Sequence, residues 1–232
     1  MLSKQVPPEL GPVALPRPKG MVWPLNYDKA CVLALHFDRA SKAFDRSPYG
    51  NHGTITGASF TESIMPHTGL FFNGINNLVT IPNVASLNPN YLSFDAWVRP
   101  DSWPNAYNSV AAKEAAGQGW TLLVKNNGKL AIYLEAVGGT RVYDGTGTYT
   151  LTTGRLYHLG LTFDGITTAG YVNGLLDGSH VGAADVSDNS ATDLIIGNNN
   201  PLNRPWHGPI VNPRMWDRPL IQNEMLRIAQ GI

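Results

Sequence analysis

Five glutamates, Glu9, Glu62, Glu114, Glu135 and Glu224, are spread along the chain, and none is followed by a second carboxylate two or three residues later. Such spacing would set a nucleophile and an acid on one strand face, roughly 5–5.5 Å apart, as glycan cleavage with retention requires. Asp185 and Asp188 are close, but Val186-Ser187 and Asn189-Ser190 around them read as a polar loop. There is no Gly-Xaa-Ser-Xaa-Gly elbow, no phosphate-binding Gly-Lys loop and no His-Glu-Xaa-Xaa-His helix. The six histidines show no pair at ligand spacing, which argues against a zinc site. Binding chemistry has better candidates. Sugars are held by flat aromatic faces together with converging amides and hydroxyls. Trp103, Tyr107 and Asn108 meet that need within the polar run Asp101 to Asn108, and Asn198 to Trp206 is a second amide-rich loop carrying Asn199 and Arg204. Trp97, Trp120 and Trp216 sit in strand patterns and read as packing, so Trp103 is the tryptophan expected to be exposed at a ligand.

Strands must position these residues. Leu92 to Val98 and Tyr157 to Phe163 alternate with period two, which puts Phe94, Ala96, Leu159, Leu161 and Phe163 on core faces. Asn127-Gly128 stands between two apolar runs, Thr121 to Val124 and Leu130 to Leu134, and predicts a hairpin because both turn residues tolerate positive φ. Asp164-Gly165 and Asn173-Gly174 punctuate the chain in the same way around Ala169 to Val172. Many short strands with Gly and Pro between them describe an all-β sandwich or jelly roll. One helix is predicted, over Pro219 to Ala229, with Asp217 as a possible cap.

The composition suits that class. Of 232 residues, 43% are hydrophobic and 15% charged, enough for a sizeable core and too few charges for a disordered chain. Seventeen basic residues balance seventeen acidic ones, so no long-range field draws in nucleic acid or an anionic membrane. Cys31 is the sole cysteine and lies in an apolar run, where a buried, inert thiol is expected. No signal-like or membrane-spanning apolar stretch is found, so the expectation is a soluble protein, cytoplasmic or virion-associated. Residues 1–27 hold Pro7, Pro8, Pro12, Pro16, Pro18 and Pro24 and form an extended arm. Its Val6, Leu10, Val13, Leu15, Val22 and Trp23 suggest docking on the domain or on another subunit, with at least Val22 to Leu25 ordered. The folded domain is placed at 28–232.

Five motifs, in order, carry a family resemblance. Asp45 to Thr54 (Asp-Arg-Ser-Pro-Tyr-Gly-Asn-His-Gly-Thr) looks like the opening D-x-S-x-x-G-N-x-G-T of laminin-G-like jelly rolls. Gly69 to Gly74 with Leu78 to Pro82 is similar to G-x-x-F-x-G…V-x-I-P, and Phe94 to Pro100 to F-x-A-W-V-x-P. Tyr157 to Gly165 with Tyr171 to Gly174 resembles W-H-x-A-x-T-F-D-G…Y-V-N-G, and Ile195 to Gly197, Trp206 to Ile210 and Met215 to Leu220 resemble the closing strands. The chain from about residue 31 is thus identified as a member of the laminin-G-like branch of the concanavalin A-like lectins and glucanases. Tyr157 stands where Trp is usual, and Pro209 and Pro213 interrupt a late strand, which argues for an edge or a bulge there.

The resemblance implies a two-sheet antiparallel sandwich, with Trp206 packed inward and a calcium site built from Asp45, Asn51, the Asn73-Gly74 backbone and Asp217. The alternative is that Asp45 and Asn51 bond their own turn and Asp217 caps the last helix. Asn73 replaces the family's common Asp and removes a charge. Since the fold hosts many functions, function rests on the residues. The leading reading is a non-catalytic, carbohydrate-binding module with Trp103, Tyr107, Asn108, Asn199 and Arg204 at the glycan. The alternative is a structural, assembly or adhesion protein, such as a virion decoration, fibre or tail component that docks through the arm.

Overall fold

A computed structural model describes residues 28–37, 42–61, 69–115, 118–135, 147–182 and 192–231. The arm 1–27 and the Asp185–Asp188 loop lie outside the described residues, and with them the expected docking of Val22 to Leu25.

Among the described residues there are fifteen strands and one α-helix. In chain order they are β1 (Cys31–His36), β2 (Lys42–Asp45), β3 (Gly53–Thr56), β4 (Ser59–Thr61), β5 (Gly69–Asn73), β6 (Leu78–Ile81), β7 (Leu92–Val98) and β8 (Tyr107–Ala115). There follow β9 (Gln118–Lys125), β10 (Leu130–Glu135), β11 (Tyr157–Phe163), β12 (Thr167–Val172), β13 (Leu175–Val181), β14 (Leu194–Ile196), β15 (His207–Trp216) and α1 (Gln222–Gln230). One layer runs β1-β15-β7-β11-β12-β13, with β5 also on β15 and β4 on β5. The other runs β3-β6-β14-β8-β9-β10, and β2 pairs with both β1 and β3 to make the path continuous. The described pairings are all antiparallel, as in a jelly roll.

Both layers fill one core. Phe94, Ala96, Leu159, Leu161 and Phe163 from β7 and β11 are buried in the same cluster as Trp120, Leu122, Val124, Leu130, Ile132 and Leu134 from β9 and β10. Side chains alternate across each strand, so one register decision commits every second residue to this interior. Each fully buried Leu or Phe contributes about 1.5–3 kcal/mol.

Three local features test the sequence expectations: the hairpin turn and the helix start differ from them, and of the edge or bulge expected in the late strand the structure has the bulge. In the β9–β10 hairpin only Gly128 takes positive φ (77°), and Lys125 donates its N–H to the Lys129 carbonyl at 2.9 Å. The loop is thus a three-residue one with glycine at the left-handed position, not a two-residue turn. Strand β15 is interior rather than an edge, lying between β7 on one side and β1 and β5 on the other. Pro213 is accommodated by a bulge between Val211 and Arg214, where Asn212 has φ 46°, while Pro209 stands in the regular ladder opposite Phe71. Finally, α1 begins at Gln222 and Asp217 does not cap it; the Glu224 carboxylate instead accepts the Ile221 N–H at 2.9 Å.

The helix closes the outer face of the first layer, where Met225 and Leu220 join Cys31, Ala34, Ala169, Tyr171 and Trp216. Glycine permits the close approach. A Cβ on Gly160 would lie 2.9 Å from the Met225 sulfur, and one on Gly174, at φ 77°, would lie 2.5 Å from the Leu226 Cα.

Candidate functional site

The outer face of the second layer carries polar and aromatic side chains where β8, β9 and β10 run side by side. Tyr107 on β8 stands opposite Lys125 on β9, and Ser109 opposite Leu123. The register then slips, because Val110 and Ala111 both enter the core. This bulge shifts the alternation by one residue and turns Glu114 to the outer face, beside Thr121. There Glu114 is fully engaged. Its Oε1 accepts Arg204 Nη1 at 2.9 Å and Asn199 Nδ2 at 3.0 Å, and its Oε2 accepts the Thr121 hydroxyl at 2.6 Å.

The loop that brings Arg204 holds itself in shape. Asn199 Oδ1 accepts the Asn203 and Arg204 N–H groups at 3.0 Å, and Asn198 Oδ1 accepts the Asn199 N–H at 3.0 Å. The Arg204 carbonyl then accepts the Ser109 N–H at 2.8 Å, fastening the loop to β8 at the bulge. Thus fixed, the Arg204 guanidinium lies 5.9 Å from the centre of the Tyr107 ring and 5.5 Å from that of Tyr133 on β10. Lys125 Nζ lies 5.8 Å from the Tyr107 ring, and the two tyrosine rings meet edge to face at 5.8 Å. Cations over aromatic rings at this range are attracted by about 0.5–2 kcal/mol.

The cluster opens to solvent at one end. Tyr133 is fully buried, Tyr107 half-buried, and the Arg204 side chain keeps 17% of its surface. Asn105, Asn126, Asn127 and Asn203 are exposed around it, and the Asn126 N–H donates to the Ala106 carbonyl, tying two of the loops together. An aromatic face, a fixed guanidinium and a rim of amides is the donor set that a polyhydroxylated ring uses.

Of the five residues expected at a glycan, Tyr107, Asn199 and Arg204 come together here. Asn108 does not face the site; buried, it donates to the Asn105 and Val124 carbonyls at 2.9 and 3.1 Å and shapes the turn before β8. Trp103 is half-buried rather than exposed, because it packs on the core edge against the buried Trp206 ring 6.2 Å away. Glu114, Lys125 and Tyr133 escaped the sequence reading. The visible hint was the spacing of Thr121, Leu123 and Lys125, the strand positions opposite to Trp120, Leu122 and Val124; the bulge that adds Glu114 to them left no local mark.

Residues 73–225 match the family described as the concanavalin A-like lectin/glucanases superfamily. The chain belongs to this superfamily. No curated protein sequence matches it. Among solved structures, this concanavalin A-like chain is similar to domain 4 of AbnA, a GH43 extracellular arabinanase from Geobacillus stearothermophilus, in complex with arabinotriose. The likeness has a TM-score of 0.72 at 19% identity and covers 88% of this chain and 100% of that one. The binding domain of Paraclostridial Mosquitocidal Protein 1 gives 0.69 at 16% identity, over 86% of this chain and 52% of that structure. Trypanosoma rangeli sialidase in complex with sialic acid gives 0.65 at 18% identity, over 88% of this chain and only 33% of that enzyme. At these identities the likeness is one of fold.

The calcium set implied by the superfamily does not fit the geometry. Both Asp45 oxygens are taken by protein donors: Oδ1 accepts the Ala34 and Ser47 N–H groups at 2.7 and 2.9 Å, and Oδ2 accepts the Ser47 hydroxyl and the Asn51 N–H at 2.6 Å. Asn51 donates its amide to the Val32 carbonyl and the Ser86 hydroxyl. Asn73 Oδ1 caps its own turn through the N–H groups of Ile75, Asn76 and Asn77, and Gly74 donates to the Trp206 carbonyl. Asn73 pairs with His207 at the start of β15, whereas Asp217 follows its end and is exposed. At ~3.3 Å per strand residue these two are about 30 Å apart. Among the described residues no three His, Cys, Asp or Glu side chains gather as a metal would require.

A second polar centre of this concanavalin A-like sandwich, also missed from sequence, lies under α1 on the opposite outer face. Asp95 Oδ1 accepts Arg214 Nη2 at 2.6 Å and pairs with His158 Nε2 at 3.0 Å, with the Asp95 and His158 side chains wholly buried. Trp97 closes on the His158 ring edge to face at 5.3 Å. Burial pushes the Asp95 carboxyl up, but the Arg214 charge and the His158 contact outweigh it and hold the group below the usual carboxylate range.

Proposed function

We propose that the chain is a non-catalytic carbohydrate-binding module whose glycan rests on the Tyr107 ring and is held by Arg204 and the surrounding amides. The observation that carries this is the meeting of three loops, each bearing exposed asparagine, near one half-buried tyrosine, with an arginine locked beside it by Glu114 and Asn199. Arg204 is held by Asn199 and Glu114 before any ligand arrives, which limits the entropic cost of binding at that end of the rim. Binding rather than hydrolysis is supported by the carboxylates. Glu114 and Asp95 are each tied to an arginine and lie on opposite outer faces of the sandwich, so they do not flank one bond. The arabinotriose and sialic acid named with two neighbours belong to those proteins; they support a glycan ligand here only at the level of class. Among the described residues no helix is long and apolar enough to cross a membrane.

A screen of immobilised glycans with wild type and Tyr107→Ala tests the reading. Wild type is expected to retain at least one glycan, and the variant to lose roughly tenfold or more in affinity, equal to ~1.4 kcal/mol. Equal retention by both proteins would remove the site.

A further inference from the structure

We infer that the glycan recognised at Tyr107 carries a carboxylate, and that Arg204 grips it in a two-point, side-on hydrogen bond. This rests on the carbohydrate-binding reading above and adds the chemical class of the ligand. The Arg204 guanidinium has two donor edges. One end, Nη1, is spent on Glu114 at 2.9 Å. The other edge, formed by Nε–H and Nη2–H, points both hydrogens the same way and matches the two oxygens of a carboxylate. These donors hold no partner among the described residues, and neither is a buried atom left unpaired. They therefore face solvent.

Three features suit that edge to an anion. Glu114 already has Thr121, Asn199 and Arg204 on its two oxygens, so it orients the guanidinium without competing for the outer edge. Lys125 brings a second cation to the same Tyr107 ring, at 5.8 Å against 5.9 Å for Arg204. A ligand at Tyr107 would then meet two positive groups close to the same ring. Charge-assisted bonds to a carboxylate are about twice as strong as those to a neutral hydroxyl. Arg204 is also preorganised, since its backbone and its far nitrogen are both fixed before any ligand arrives.

The test is a glycan panel in which each acidic oligosaccharide (uronate- and sialate-containing) is printed beside its carboxyl methyl ester and its neutral parent. Wild type is expected to bind at least one acidic form about tenfold or more tightly than its ester, with the gap narrowing as salt is raised. Arg204→Lys keeps the charge but loses the fork, and should bring acid and ester within about threefold of each other. Thermal unfolding and circular dichroism check that this variant is folded; should it not be, the acid-to-ester ratio on wild type decides alone. Equal binding of acid, ester and neutral forms overturns the carboxylate inference and leaves the glycan reading standing. An acid preference that persists in folded Arg204→Lys overturns the assignment to Arg204. No binding to any member of the panel overturns both readings.

Discussion

Two of the carboxylate–arginine pairs among the described residues sit on opposite outer faces of the sandwich, and they differ in what the arginine has left to give. Under α1, Arg214 puts both Nε and Nη2 on Asp95, and helix and sheet bury the pair together with His158. On the other face Arg204 offers Glu114 a single nitrogen, and its outer edge stays at the surface. Both pairs have aromatic rings beside them, Trp97 and Trp216 on one face and Tyr107 and Tyr133 on the other. The difference lies in the cover: Gly160 and Gly174 let a helix lie flush on the first face, while around Tyr107 the rim is made of loops. The closed pair uses the arginine's side-on edge within the fold, and the open pair leaves that edge at the surface.

Breaking the closed pair should have the largest effect. Asp95→Ala leaves the Arg214 guanidinium buried without its counter-charge and is expected to lower unfolding free energy by about 3–5 kcal/mol in denaturant titration. The acid limb offers a gentler probe. Because the native Asp95 carboxyl lies below its unfolded value, its contribution is complete above about pH 4 and is lost as pH falls through the native value. Asp95→Asn should flatten that part of the stability profile.

A purely apolar control sharpens the contrast. Leu161→Ala, at a site with 0% exposure in the shared core, should cost about 2–5 kcal/mol and leave any glycan affinity of the remaining folded protein unchanged. Tyr107→Ala is the converse: its affinity falls by about tenfold or more while stability changes by less than about 1.5 kcal/mol, as for a half-buried surface side chain.

Lys113 gives a smaller, pH-dependent signal. Burial pushes its ammonium from 10.5 down to about 8, against the pull of Asp193. Between those two values the unfolded chain binds more protons than the native one, so this group makes stability rise with pH across that window. Lys113→Met should remove the rise when compared with wild type at pH 7 and pH 10. The smallest effect expected is none at all: melting curves in excess calcium and in chelator should coincide, because Asp45 has no oxygen to spare and Asp217 lies at the far end of β15 from Asn73. A calcium-dependent rise in melting temperature would bring back a cation site.

What the sequence determined by itself is the part of this protein that repeats locally. Period-two alternation assigned Phe94, Ala96, Leu159, Leu161 and Phe163 to the core, because a strand offers only two faces and water rejects the apolar one. Asn127-Gly128 marked a hairpin because the chain can reverse there cheaply, and the five ordered motifs marked the superfamily. Tyr107, Asn199 and Arg204 could be picked out by type as candidates for the proposed site, since they stand in polar, amide-rich stretches. Only the tertiary structure decided which of them meet. The partner that fixes Arg204, Glu114, is ninety residues away in the chain and reaches it through a one-residue bulge in β8. Trp103 is half-buried for the same reason: how far a loop tryptophan stays in solvent depends on a ring distant in sequence, here Trp206, that packs beside it. Asp95, His158 and Arg214 come from three strands and are adjacent only by pairing. Long-range register and the cover laid over each face are products of the whole sandwich, and no short window of residues contains them.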